Sequence, residues 1–241
     1  MNTSVSAKRI LVYSDSYVFG KIPGGLRYDS STRFTGVMQN YLGADYEIIE
    51  EGLRGRNLAG ENGFFPHRNG LIQFDGIFGS HLPLDVVMIF LGTNDCNSSR
   101  DVTPEEIVAN YTKYLRSIGW WCKHLDFPKP KIVLIAPPAI DEPTSHKWFK
   151  NIFNSAGPKI AALPTLIKEF AENNKVYYFD ASKVVTFSPV DGIHLDIENN
   201  RLLGKSLAQF IKEVVRSSQK SSSFQETAIF ISKKIMVCMG T

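Results

Sequence analysis

Cysteine is scarce in this sequence: Cys96, Cys122 and Cys238 are the only three in 241 residues, odd in number, widely spaced and without a CxxC pair. That excludes a disulfide framework and a zinc ribbon, and leaves a reducing compartment as the default. Long apolar runs are missing too. Nothing approaches the ~20 residues needed to span a bilayer, and Ile10-Leu11-Val12-Tyr13 is too short for a signal-peptide core. The expectation is a cytoplasmic protein with no membrane partner, whose mature chain starts near Met1. Charge of one sign is also weak, with Lys+Arg 27 against Asp+Glu 24 and a net of +3. This argues against a nucleic-acid partner. Residues 217–241 hold Lys220, Lys233 and Lys234 against Glu226, a net of +2, so residues 1–216 carry only +1. Repeats of 20–50 residues are absent, and the only low-complexity tract is the serine cluster around 217–223. Of the five histidines, His67, His81, His124 and His146 show no HExxH or other metal spacing and read as surface or structural residues. No metal and no cofactor are expected.

What is present suffices for a full core. With 43% hydrophobic residues, a chain of this length buries roughly 70–75% of its unfolded surface. One domain over residues 1–216, followed by a C-terminal extension over 217–241 with no assigned role, is the simplest division.

Short apolar runs alternate with helical patterns along the body. Ile10–Tyr13 reads as a strand, and Phe34, Val37, Met38, Tyr41 and Leu42, closed by Gly43, as an amphipathic helix. Tyr46–Ile49 is a second strand. Val86–Leu91 is six apolar residues without alternation, as a strand buried on both faces requires. Thr103-Pro104-Glu105-Glu106 is a capping box with proline at the first helical position, opening a helix through Tyr111, Leu115 and Ile118 toward Trp121. Ile132–Ala136 makes a fourth strand and Val176–Phe179 a fifth, separated by a helix ending near Asn173. The last helix has the apolar face Leu207, Phe210, Ile211, Val214 and Val215. Such alternation predicts an α/β fold, a three-layer α/β/α sandwich on a five-stranded parallel sheet of flavodoxin-like order 2-1-3-4-5.

In open parallel sheets the ligand site lies beyond the carboxyl ends of the strands, where strand order reverses. Three turns then converge: Tyr13-Ser14-Asp15-Ser16, Glu51-Gly52-Leu53-Arg54 and Gly92-Thr93-Asn94-Asp95. Asp191-Gly192-Ile193-His194 joins them, because the dozen residues after strand five reach ~40 Å extended and three inter-strand steps need only ~14 Å. A serine, a histidine with an aspartate three residues before it, and glycine and asparagine amides form a parts list for acyl transfer. In that reading Ser16 attacks an ester carbonyl, His194 moves the proton and Asp191 fixes the imidazole tautomer. The oxyanion is met by the N–H groups of Ser16 and Gly52 and by the Asn94 amide. Asp15 and Asp95 read as structural carboxylates, and Cys96 as packing. Tyr17, Trp148, Phe149 and Phe153 are candidates for the pocket wall.

Ser14-Asp15-Ser16, Gly52, Gly92-Thr93-Asn94-Asp95 and Asp191-x-x-His194 resemble, in order, the four signature blocks of the SGNH (GDSL-type) hydrolase family. Ala7–Leu11, Phe34–Val37, Leu42–Asp45, Ile49–Leu53, His81–Asp85 and Val190–His194 are similar to its arylesterase/acyltransferase branch, over about residues 7–216. The resemblance implies hydrolysis of short-acyl and aryl esters without a metal, acyl transfer or perhydrolysis as a side activity, a small-molecule ester as partner, and a homo-oligomer. Two departures stand out. Ser14 occupies the family's usual glycine position, where its side chain is expected to crowd the turn or compete for Ser16 or His194. Tyr17-Val18-Phe19 replaces the usual Leu-Thr-x beside the nucleophile.

Three alternatives accompany this reading: a carbohydrate deacetylase using the same residues, a flavodoxin-like binding module without acyl chemistry, and a non-catalytic member. The strand-one loop, carrying Tyr17 and Phe19 and no glycine-rich phosphate cradle, weighs against the binding module. Gly204-Lys205-Ser206 lacks the upstream glycine of a phosphate-binding loop. Gly204-x-Ser206-x-Ala208 lies inside a helix and so cannot be a nucleophile elbow.

Overall fold

The computed structural model describes residues 4–217. Cys238 and nearly all of the expected C-terminal extension lie outside these residues. Five parallel strands form the central sheet: β1 (Lys8–Ser14), β2 (Tyr46–Gly52), β3 (Val86–Phe90), β4 (Lys131–Ala136) and β5 (Tyr177–Asp180). Their order is β2-β1-β3-β4-β5, the expected topology.

Alternation of side chains along β1, β3 and β4 splits the core into two clusters, one on each face of the sheet. Leu11, Tyr13, Val87, Ile89, Ile132 and Leu134 pack under α3 (Gly70–His81), α4 (Pro104–Ala109), α5 (Tyr111–His124) and α7 (Ala156–Asn174). Ile10, Val12, Val86, Met88, Val133 and Ile135 pack under α2 (Phe34–Leu42) and α8 (Ile197–Arg216). Every residue of β3 is buried, which accounts for its uninterrupted apolar run. Two short helices complete the layers, α1 (Ser16–Phe19) directly after β1 and α6 (Glu142–Phe149) after β4. Among the described residues no helix is long and apolar enough to cross a membrane.

Two differences from the sequence expectation concern helices. The helix expected from the capping box is two helices. The Thr103/Glu106 box is present, but the chain breaks at Asn110, which ends α4 and precedes α5. Helix α3 has no counterpart in the expectation. Its three glycines, Gly70, Gly76 and Gly79, weaken the helical pattern, and it is held by burial of Phe74 and Phe78, one turn apart.

The register sets the position of the site. Ser14 at the carboxyl end of β1 pairs with Gly52 of β2 on one side and with Phe90 of β3 on the other. The turns leaving all three strands therefore start side by side, at the point where strand order reverses.

Candidate active site

Ser16 is the first residue of α1, and Asp15 caps that helix by accepting the Tyr17 N–H at 3.0 Å. The other Asp15 oxygen accepts the Asn94 Nδ2 donor at 2.8 Å, so one carboxylate aligns both the Ser16 turn and the amide after β3. Burial pushes the Asp15 carboxyl up to about 7, against the pull of the Tyr17 N–H, Arg56 and Asn94. Asp95 ties the β3 turn to the segment after β2 by accepting the Leu58 and Ala59 N–H groups and pairing with Arg100 at 2.7 Å. Asp15 and Asp95 thus bind amides and Arg100, and neither enters the cleft.

The loop after β5 returns over the sheet to bring His194 onto Ser16. His194 Nε2 lies 3.0 Å from Ser16 Oγ, and its Nδ1 lies 2.8 Å from Asp191 Oδ2. Asp191 Oδ1 accepts the backbone N–H groups of Ile193 and His194. Burial raises the Asp191 carboxyl, but the His194 ring and these two N–H groups outweigh it and hold the group down at about 2. Burial likewise disfavours the imidazolium of His194 by more than Asp191 restores, so His194 titrates below the ordinary histidine value. The imidazole thus stands between the Ser16 hydroxyl and the Asp191 carboxylate.

Ser16, His194 and Asn94 line a cleft of about 360 Å³ together with Phe19, Leu53, Gly55, Phe65, Thr93, Phe149, Ile152, Phe153 and Ile193. Arg54 and Arg68 complete its lining. Two of the four expected wall residues, Phe149 and Phe153, are there. Tyr17 is not. It stacks on Phe90, donates to the Ile193 carbonyl and stands edge-on to the His194 ring, supporting the histidine from behind. Trp148 is also outside the cleft, half exposed beside Gly24 and Val190. Phe19, Phe65 and Ile152 take their places, Phe19 from the end of α1 and the other two from separate loops.

Gly52 is not in the cleft either. The Leu53 N–H bonds Ser14 O of β1, and successive amides along a strand point to opposite sides, so the Gly52 N–H faces away from β1. Glycine is needed there for packing, since a Cβ would fall 2.2 Å from Phe19 N and 2.6 Å from Val18 C. Three residues on, Gly55 lines the cleft at the third position of a turn closed by Arg56 N–H to Leu53 O, with φ +76. That positive φ is the type II signature, and glycine as the third of four residues after a strand is the sequence signal that singles it out. Neither the Ser16 nor the Gly55 N–H donates to a protein acceptor among the described residues.

The Ser14 hydroxyl bonds neither Ser16 nor His194. It donates to the Phe90 carbonyl at 2.5 Å and lies 3.5 Å from Asp15 Oδ1. Cys96 and Cys122 are free and buried. Burial pushes the Cys96 thiol far above its ordinary value, so it serves as packing.

No curated protein matches the chain. Among solved structures it is similar to the M. smegmatis aryl esterase, with 36% identity and a TM-score of 0.81 over 86% of this chain and 99% of that one. It is similar at the same TM-score and coverage to Est24, a carbohydrate acetylesterase from Sinorhizobium meliloti, with 34% identity. A second carbohydrate acetylesterase family member from that organism is 29% identical, with a TM-score of 0.78 and the same coverage. Residues 15–201 match the GDSL-like lipase/acylhydrolase family. The chain therefore belongs to that family, the SGNH hydrolases, and is a carboxylic ester hydrolase.

Proposed function

We propose that this protein is a serine esterase acting on short-acyl esters, aryl esters among them, through Ser16, His194 and Asp191. The observation that carries the reading is the unbroken hydrogen-bonded chain from Ser16 Oγ through both ring nitrogens of His194 to Asp191, buried at the head of a cleft walled largely by phenylalanines. Ser16 Oγ attacks the ester carbonyl carbon while His194 Nε2 takes its proton. Asp191 keeps Nδ1 protonated and stabilises the imidazolium that forms. The tetrahedral oxyanion accepts from the Ser16 N–H, the Asn94 amide and the Gly55 N–H, the last in place of Gly52. The second hydrogen of Asn94 Nδ2 is the free one, since Asp15 takes the first. His194 then protonates the leaving alcohol, and water repeats the sequence on the acyl-enzyme.

A second reading, deacetylation of acetylated sugars, is supported by the similarity to the carbohydrate acetylesterases and by four phenylalanines lining the cleft on which a sugar ring can stack. The same residues serve either leaving alcohol, so a panel varying acyl length and alcohol ranks the two readings. Transfer to alcohols or hydrogen peroxide competes with water at the same acyl-enzyme. A homo-oligomer belongs to the same reading, and light scattering measures it.

The decisive experiment is hydrolysis of p-nitrophenyl acetate. The wild-type chain turns it over, and Ser16→Ala loses nearly all activity at unchanged melting temperature. Equal turnover by the variant would remove Ser16 from the nucleophile role.

A further inference from the structure

We propose that the ester accepted by this cleft carries an anionic group, a carboxylate, phosphate or sulfate, held at the mouth by Arg54 and Arg68. The inference deepens the esterase reading and rests on it.

The cleft has two guanidinium groups in its lining and no carboxylate. Neither Arg54 nor Arg68 is in an ion pair with a described residue. Arg68 is pinned by backbone, its Nε donating to Arg54 O and its Nη1 to Pro66 O and His67 O. Its other terminal nitrogen donates to no described residue. The exposed Arg54 side chain makes no hydrogen bond to a described residue, and its guanidinium carbon lies 5.9 Å from the centre of the Phe19 ring. Arg27 lies 4.5 Å from the same ring and is also without a carboxylate partner. Lys21 adds a fourth positive charge near the mouth, with its ammonium on the carbonyls of Ile22 and Gly25.

Four arginines elsewhere in the chain are paired with carboxylates, although Arg56, Arg116 and Arg216 are in no ion pair with a described residue. Arg9 pairs with Glu47, Arg33 with Glu50, Arg100 with Asp95 and Arg201 with Glu198. Residues 1–216 are almost neutral, and what sets Arg54 and Arg68 apart is that both line one cleft whose lining holds no carboxylate. The field reaches the reacting centre, because Lys21 and Arg54 both oppose protonation of His194. A guanidinium whose donors are unfilled binds carboxylate or phosphate oxygens in a fork, and like charges without counter-ions attract an anionic ligand. The phenylalanine walls hold the body of the ester while Arg54 and Arg68 hold its charge.

The test uses two matched ester pairs on the full chain. On the alcohol arm, 4-acetoxybenzoate is compared with its methyl ester. On the acyl arm, the 4-nitrophenyl monoester of adipic acid is compared with the 4-nitrophenyl methyl diester. In one pair kcat/KM for the anionic member is expected to exceed that of the neutral member by about tenfold, which also identifies the arm that faces the arginines. The ratio falls at high salt, as expected for exposed charges. Arg54→Gln combined with Arg68→Gln brings it to about one. Arg54→Glu, a single change at an exposed position, takes it below one even if the double variant folds poorly. Parity or a neutral preference in both pairs, or a ratio that survives Arg54→Glu, would overturn the proposal. Loss of turnover on every ester, neutral and anionic, would instead remove the esterase reading and this inference with it.

Discussion

Replacing Gly52 by alanine separates a packing role from an oxyanion role. The added Cβ would lie 2.2 Å from Phe19 N, 2.6 Å from Val18 C and 2.9 Å from Phe19 Cα. These are backbone atoms of α1, so no side chain can rotate out of the way. Restoring an ordinary contact of about 3.4 Å or more requires α1 to move by more than an ångström relative to β2. Ser16 is the first residue of that helix and is hydrogen-bonded to His194 at 3.0 Å, so the displacement breaks the Ser16–His194 contact. Overpacking of this kind costs about 1–3 kcal/mol, and a 1 Å misplacement of a reacting group costs ~10²-fold in rate. For Gly52→Ala we expect kcat/KM on p-nitrophenyl acetate to fall ~100-fold or more, with a melting temperature lower by several degrees. Gly55→Ala contrasts with it. Its Cβ meets only the Phe65 ring, at 3.0 Å, and the cost is the positive φ, about 1–2 kcal/mol. On the proposed mechanism its rate loss would come from tilting the Gly55 amide away from the oxyanion. A Gly52→Ala variant with wild-type activity and melting temperature would refute the contact argument.

Three further outcomes follow from the same geometry. Ser14→Gly loses the hydroxyl bond to Phe90 O and gains backbone freedom, which together destabilise by about 1–2 kcal/mol; melting temperature should drop while kcat changes less than twofold. A clear rise in kcat would restore the expectation that this side chain obstructs the nucleophile. Asp191→Asn should lower kcat by about 10⁴-fold, because an amide cannot hold Nδ1 protonated, and circular dichroism checks that the loop stays folded. Because His194 must be neutral to take the serine proton and burial lowers its pKa, kcat/KM should stay on its plateau below pH 6.5 and fall only at more acid pH. A midpoint above the ordinary histidine value would show that Asp191 outweighs burial.

The parts of this molecule that were legible in the sequence are those in which the side chain itself carries the signal. Val86–Leu91 announced a buried strand because every one of its side chains is apolar, and strand-helix alternation was enough to place three turns together. Asp191 and His194 stand three residues apart, so one aspartate holds both the ring and the backbone of the histidine, and the pair becomes legible once the other turns are placed beside it. Backbone donors leave no such trace. Gly52 and Gly55 look alike in the sequence, yet one is glycine because α1 presses on it and the other because its turn needs a positive φ. Only the direction of the amide, fixed by the Leu53 bond to Ser14, tells them apart. The pocket wall was obscure for a related reason. Trp148 and Phe149 are neighbours on α6, but a helix turns by about 100° per residue, which sends Phe149 into the cleft and leaves Trp148 beside Gly24 at the surface. Phe19, at the end of α1, and Phe65, in a loop, reach the same cleft from segments far apart in sequence, where no local pattern marks them. Arg54 and Arg68 are harder still. A basic residue in a loop is ordinary until the fold shows that no carboxylate faces it, and the weak overall charge of the chain conceals the place where its positive charge gathers.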